Sequence, residues 1–448
     1  MKTRNRKSKK SKSGLVLPVI AAIALCLALL GLGVLQLGFG SRLMATRTMA
    51  AVSARAAADA GVNRAIYEMN MLFNSSLGWG SPLPPDVADQ PLNNSNATFS
   101  YNILPRTSQP YLYVHPLTGE SIRYRVIESI GRLGTQQKTV YATIGIRNLF
   151  DYGLIVTDTI DLKSNTLVDG YDTRLGPYTL PPNSTNSHKY IRIGTTNITD
   201  RSIWLGSLTE VTGDILVGIG GDVNKVITNP SGAAITGPWY NLPEPWYFEP
   251  INITVPEGTP SSGNINRAYF NVPIKTLGQA GTVTYYKFDS IDVPNGKSLI
   301  FAGHVELHIT GDLLIDNSAA LIVDDPVVDP TASVIIYLDG NLNVANGGTI
   351  NNLSKIPLNF KLFGTGAPYQ NWDIKNSGDY YGIYYGPNAD IRTYAVANFY
   401  GSVSGHEFIL FQGGQLHYDH ALSHLSQYDT GFGVDRLWEK SEFVAAGL

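Results

Sequence analysis

Three histidines near the C-terminus, His417, His420 and His424, stand at positions i, i+3 and i+7. On a helix that spacing would set three imidazoles on one face, with Asp419 and Glu407 as neighbouring carboxylates, and imidazole is the commonest transition-metal ligand. The bland reading weighs more. The sequence HYD before a short helix reads as a structural cap, with His417 and Tyr418 satisfying corner hydrogen bonds. No metal and no other cofactor is expected, and His417, His420 and His424 stay as the candidates should a metal be present. Acid pairs are the next possible chemistry. A polysaccharide lyase or hydrolase needs clustered carboxylates, as calcium ligands or as an acid/base pair. The nearest pairs are Asp324/Asp325, in VDDPVVDP, and Asp169/Asp172, in VDGYDTR, where Arg174 follows. Asx residues before Pro or Gly are ordinary turn formers, so no catalytic residue is assigned. There is no Walker loop, dinucleotide fingerprint, GxSxG or zinc pattern of cysteines.

The element that must position everything else lies at the other end of the chain. From Leu15 to Phe39 there is no charged residue, and Gln36 is the only long polar side chain. A bilayer core of about 30 Å needs roughly 20 such residues in a helix. Ahead of the run stand Lys2, Arg4, Arg6, Lys7, Lys9, Lys10 and Lys12 with no acid among them, which puts that end in the cytoplasm and exports the rest. A cleaved secretory signal is the rival, but its apolar body is normally shorter. Beyond Arg42 the run turns Ala-rich and Pro-free, and Val62, Ile66 and Met69 form an apolar stripe for something to pack on.

Composition narrows the rest. The chain has 448 residues, 45 of them Gly, 25 Pro and 25 Tyr, which suggests two or three turn-rich β units. Setting aside the seven basic residues of the head leaves 26 Lys and Arg against 36 Asp and Glu. An acidic exported body argues against nucleic-acid binding. The single cysteine, Cys26, lies within the apolar run, so no intramolecular disulfide can staple the fold.

Residues 74–96 read as loop. Ala97–Leu104, Ser121–Ile127 and Lys138–Ile146 read as strands of an antiparallel meander, with ESIGRLGTQQ as a turn-rich connector. From Leu154 onward short β-branched runs recur between Gly, Asn and Asp. Thr310-Gly311-Asp312-Leu313-Leu314-Ile315 matches Asp339-Gly340-Asn341-Leu342-Asn343-Val344 at a shift of 29, and Thr212–Val217 is a third copy. Such patterning predicts a parallel solenoid whose turns bury their apolar faces on one another. Residues 237–258 carry five prolines with Trp239, Tyr240, Trp246, Tyr247 and Phe248. That segment is expected to interrupt the coil and lie along its flank; the functional alternative is an aromatic sugar-binding strip.

The basic head, Gly14 and the apolar start Leu15-Val16-Leu17 together resemble the type IV pilin class of leader. The resemblance implies cleavage between Gly14 and Leu15 by prepilin peptidase. The continuation AAADAGVNRAIYEMN is similar to the N-terminal module of PilX-type pilus assembly proteins, with Asp59 where that family often has Glu, followed by Ala60 and Gly61. Major pilins place a glutamate at the fifth residue after the cut; here it is Val19, which points to a minor rather than an abundant subunit. Pro18 is tolerable in a first helical turn. The tract from Leu154 through HYDHAL, with VDGYDTR, LPEP and FYGSVSG, is similar to an uncharacterised domain fused to PilX-type N-termini.

The expectation is an α+β chain: a basic cytoplasmic leader (1–14), a transmembrane helix (15–39), its extracytoplasmic continuation (40–73), a pilin-like β-meander (74–150), a mainly-β right-handed β-helix (151–425) and a C-terminal tail or cap (426–448). The expected function is that of a minor pilin, pseudopilin-like or pilus assembly accessory protein in a bacterial inner membrane, displaying the solenoid for adhesion or filament capping, without enzymatic turnover. The implied partners are the lipid bilayer, prepilin peptidase, other pilin-like subunits through the helix bearing Leu15, Pro18, Val19, Asp59 and Gly61, and a surface glycan or protein. The alternative is a membrane-tethered β-helix carbohydrate-active enzyme. A surface protein with no pilus link is a third reading.

Overall fold

The structure, a computed structural model, describes residues 16–107, 109–114, 121–179, 186–230, 232–243, 245–366 and 369–439. Gly14 and Leu15 lie outside them. One unbroken helix, α1 (Val16–Met71), runs for 56 residues, about 84 Å at the α-helical rise. By length and composition it can cross a membrane, and none of its most apolar window is buried. Val19 is 50% exposed and Phe39 71%. From Ala54 onward the helix is different. Ala54, Ala57, Ala58, Val62, Ala65 and Met69 are buried, an apolar face at helical spacing.

That face lies on an antiparallel sheet made of β1 (Val87–Pro91), β2 (Thr98–Leu104), β3 (Tyr111–Val114), β4 (Ser121–Leu133), β5 (Gln136–Asn148) and a C-terminal strand, Asp429–Glu439. Its order is β1-β2-β4-β5-C-terminal strand, with β3 on β4. Small residues set the approach. A Cβ on Gly131 of β4 would stand 1.9 Å from the Ala54 carbonyl oxygen, and one on Gly61 would stand 2.2 Å from Ser129 Oγ. The stretch ESIGRLGTQQ is therefore mostly strand, not connector. Gly131 is there for contact with the helix, and the turn is confined to Gly134 (φ +58°) and Thr135. Two further strands depart from the sequence reading. β1 falls in the expected loop, as a polar edge strand ending in Pro and hence without alternation, and β3 was not anticipated. The residues expected as a tail or cap instead supply a sheet strand, Asp429–Glu439 on β5.

Residues 154–419 form a large parallel sheet of short strands. Pairing runs from pass to pass, each pass lying parallel and in register on its neighbour. One buried row shows the order: Ile265, Ile291, Leu313, Leu342, Trp372, Ile391, Phe408, Ile160, Ile203 and Ile227 stand in register, strand upon strand. All belong to one continuous apolar core. The 29-residue repeat is one such pass, since Leu313 pairs with Leu342 and Ile315 with Val344. Its polar position repeats a bond too: Asp312 Oδ1 accepts from Asn341 N at 2.8 Å, and Asn341 Oδ1 from Asn371 N at 2.8 Å.

The row also shows that spatial order is not chain order. Phe408 is followed in space by Ile160. The chain enters the column at the eighth of these ten levels, winds to the near end at Trp239–Asn241, crosses to the far end, and winds back from Asn264–Ile265 until it meets its own first pass. Ten levels at about 4.8 Å spacing make a crossing of roughly 43 Å, within reach of the 242–263 segment. That segment is a strap along the flank. Leu242, Trp246, Phe248, Ile251 and Val255 pack on Tyr152, Tyr337, Phe363 and Tyr385 of the column. The Tyr385 hydroxyl donates to the Glu249 carbonyl at 2.7 Å. The aromatic run thus divides: Trp239 and Tyr240 remain in a column strand, and the strap proper begins after them. The core is closed at one end by Val226 of the short helix Val223–Val226 and at the other by Phe270. Strands β5 and Asp429–Glu439 hold the column between them, for Leu149 N donates to the Tyr428 carbonyl at 2.9 Å.

Candidate functional site

The most polar part of the interior lies at the seam where the last pass of the column meets the first. Strand Gln415–Asp419 pairs there with Leu167–Tyr171, placing His417 opposite Asp169 and Asp419 opposite Tyr171. The β-branched and aromatic residues of both strands favour the pleat, and their alternate side chains face outward. Outward does not mean wet. Residues 172–178 fold over this face, and Asp169 and His417 are each 0% exposed.

His417 Nδ1 donates to Asp169 Oδ1 at 2.5 Å, and its Nε2 faces Gln415 Oε1 at 2.8 Å. The other oxygen, Asp169 Oδ2, accepts from the Tyr178 hydroxyl at 3.0 Å and the His188 backbone N–H at 3.0 Å. Tyr178 stacks on the His417 ring at 3.9 Å between centroids and Tyr400 at 4.8 Å. Next along the strand, Asp419 accepts from Thr173 N at 2.9 Å, the Thr173 hydroxyl at 2.8 Å and Ala421 N at 3.1 Å. Burial raises the Asp419 carboxyl above its ordinary range against those bonds. Asp172 moves the other way: burial pushes it up, but the guanidinium and backbone N–H of Arg174 outweigh that and hold it below the usual range. The bonds from His417 to Asp169 and from Thr173 to Asp419 bridge the last pass and the first. Without exposed surface and paired across the seam, Asp169 and His417 act as a staple between the two passes.

The structure brings together two groups that the sequence treats separately, the HYD triplet and Asp169/Asp172. It does not bring the three histidines to one face. His417 is in a strand and His420–His424 form a 3-10 helix capped by Asp419. Glu407 is on another strand stack, accepting from Arg392 at 2.6 Å and from the Thr159 hydroxyl at 3.1 Å. Among the described residues no three His, Cys, Asp or Glu side chains are placed to hold a metal ion. Asp324 and Asp325 are turn acceptors for the backbone N–H groups of Asp325 and Val327, each at 2.8 Å. One charged cluster was missed. Asp390 and Glu407, on successive passes, share the Arg392 guanidinium at 2.7 and 2.6 Å, with His406 Nδ1 2.7 Å from Asp390. Only the register between passes could have revealed it.

On the helix, Pro18 and Val19 lie in the bare half, Asp59 pairs with Arg55 at 3.0 Å, and Gly61 is a packing contact against Ser129. A cleft of about 270 Å³ opens where helix, sheet and strap meet, lined by Asn70, Arg147, Trp246, Tyr247, Glu249 and Phe432 among others. Tyr247 is 74% exposed, and the Arg147 guanidinium lies 5.4 Å over the Trp246 ring.

Residues 261–425 match a family model described as a domain of unknown function, DUF7305. The match runs from the end of the strap through the last pass of the column, and its description names no activity. No curated protein sequence matches the chain. Among solved structures the chain is similar to the competence-associated pilin ComZ from Thermus thermophilus, over 87% of this chain and 98% of that one, with 11% identity and a TM-score of 0.25. Similarity at that level carries no argument about fold or role.

Proposed function

We propose that this chain is a membrane-anchored, pilin-like accessory subunit whose helix assembles with other pilin-like helices and whose column is displayed outside the cell. One observation carries the reading. A single rigid helix is bare and apolar over its first half and clamped by a β-sheet over its second. A bare apolar half needs lipid or other helices around it, and the continuous helix transmits that position to the sheet and column. The seven basic residues ahead of it support a cytoplasmic N-terminus, and the inner membrane of a bacterium is the compartment that fits.

In this reading the parallel sheet is a right-handed β-solenoid, capped at both ends, and serves as a rigid display surface for adhesion or for terminating a filament. Its work is binding and assembly, without turnover. The stapled seam and the salt-bridged Asp390–Arg392–Glu407 cluster support a structural use of the buried and paired charges. The surface glycan or protein it meets is bound by outward side chains of the column.

Filament shearing tests the proposal. Cells are sheared, the released filaments are pelleted, and the column is detected with an antibody. The chain should be present in the filament fraction at substoichiometric amounts, and it should vanish from that fraction when residues 16–53 are replaced by a cleavable secretory signal. A chain confined to the soluble fraction, with or without its helix, would overturn the reading.

A further inference from the structure

Of the five aromatic side chains in the Pro-rich run, four are engaged by the column. Trp239 lies against the core, and the Tyr240 hydroxyl donates to Asp214 Oδ2 at 2.8 Å. Trp246 sits edge-on to Tyr152 at 4.6 Å, and Phe248 lies 6.2 Å from the Tyr385 ring. Tyr247 is the one left out, 74% exposed. The cause is local. Successive side chains of an extended chain point opposite ways, so Trp246 and Phe248 face the column and the ring between them faces away. Their packing, and the bond from Tyr385 to the Glu249 carbonyl at 2.7 Å, hold the strap on either side of Tyr247. An exposed flat ring on a backbone held in this way loses little freedom when a ligand lies on it.

That ring forms one wall of the cleft of about 270 Å³ between helix, sheet and strap. Phe432 and Ile66 add apolar lining, while Asn70, Arg147 and Glu249 bring polar groups to it. Asn70 is fixed in place: its Oδ1 accepts from Phe432 N at 2.6 Å and its Nδ2 donates to the Phe432 carbonyl at 3.0 Å. A primary amide has two N–H donors and two acceptor lone pairs. Beyond those two bonds it keeps one of each, which suits a ligand group that both gives and takes a hydrogen bond. A hydroxyl does both. The charges in the lining cancel, one guanidinium against one carboxylate, and the guanidinium already lies 5.4 Å over the Trp246 ring. Neither an anion nor a cation is favoured there.

We propose that this cleft binds one neutral pyranose ring of a glycan. A pyranose has an apolar C–H face and a rim of hydroxyls, which matches one exposed aromatic ring set beside an amide and a carboxylate. The C–H face lies on Tyr247, vicinal hydroxyls meet the two oxygens of Glu249, and a further hydroxyl meets the spare donor and acceptor of Asn70. The volume is just under the roughly 300 Å³ at which clefts for drug-sized ligands begin, so the cleft takes a single ring and the rest of the glycan leaves past Tyr247 into solvent. The inference rests on the reading of the chain as an exported display subunit and gives its glycan a definite seat. Because Asn70 belongs to the helix and Tyr247 to the strap, the bound ring spans anchor and column.

The test is saturation-transfer NMR on the full chain in a detergent without a sugar headgroup, with the methyl glycosides of glucose, galactose, mannose and N-acetylglucosamine as probes. Ring protons of at least one glycoside should receive saturation. Tyr247→Ala should weaken that binding about tenfold or more, Glu249→Gln should weaken it less, and Tyr247→Phe should keep it. Tyr369→Ala, which removes a ring 80% exposed elsewhere on the column, should leave it unchanged. Tyr247 buries little surface, so Tyr247→Ala should keep the urea midpoint of the native chain. No transfer to any of the four probes, or transfer undiminished in Tyr247→Ala, would overturn the proposal. Loss of filament incorporation in Tyr247→Ala without any sugar binding would also overturn it and assign the cleft to a side chain of a neighbouring subunit. Sugar binding is read on the purified chain, so its failure leaves the filament reading standing, and failure to enter filaments leaves the sugar site standing.

Discussion

At the scale of single residues, Asp169 and His417 are the pair on which the column's closure turns. They are 248 positions apart in sequence and 2.5 Å apart in space. Removing one partner of a buried, fully bonded pair strands the other, a loss of about 3 kcal/mol or more. Asp169→Ala and His417→Ala should each lower the urea midpoint accordingly, and the double variant should cost less than the sum of the two. Additive losses would show that the bond carries no coupling. Asp172 gives a pH signature. Its folded carboxyl titrates below the unfolded one, so its stabilisation is present above the ordinary carboxylate range and is lost as pH falls through the lowered value. Arg174→Met should therefore flatten the acid limb of stability between about pH 4 and lower values, read as urea midpoints across a pH series. The sequence showed these residue types and their turn-forming context, and read HYD as a structural cap, but it did not show that Asp169 is the partner of His417. Cross-strand register over a long chain separation decides which side chains meet, and spacing along the chain contains no trace of it.

Elements were legible in proportion to how local their cause is. The long helix follows from an uninterrupted apolar and Ala-rich run, and the 29-residue repeat became one pass of strand upon strand. Gly131 misled because glycine in a turn-rich stretch looks like a turn; it is a strand position where only hydrogen fits against Ala54. Gly131→Val should expel the helix from the sheet, with a loss of about 3 kcal/mol and new protease cleavage between residues 40 and 72. Gly33→Ala, with nothing within 4 Å, should leave stability unchanged. The strap is held by aromatic packing and by bonds such as that from Tyr385 to the Glu249 carbonyl. Tyr385→Phe should cost about 1 kcal/mol, seen as faster limited proteolysis within 242–263 before the column itself melts. The Pro-rich composition of 237–258 marks extended chain lying against something, but its destination, the far end of the column, depends on where the first pass is seated.

The whole molecule is a rod, a sheet and a column joined in one order that the chain itself does not follow. The column leaves the antiparallel sheet after β5 and returns to it at Asp429, so its two covalent connections lie side by side. Motion of the helix thus reaches the column through a paired strand rather than a lone linker. The strap then lets the chain start inside the stack, near one end, and still build both ends. None of this ordering is visible in residue patterns, because every pass looks alike and only pairing reveals which lies on which. The central claim is that the bare half of the helix is a processed pilin-like anchor. The most direct measurement is the N-terminal residue of the mature protein, determined from cells with and without prepilin peptidase. A chain beginning at Leu15 only when the peptidase is present is the predicted result; the same N-terminus in both strains, or a cut beyond the apolar run, would contradict it.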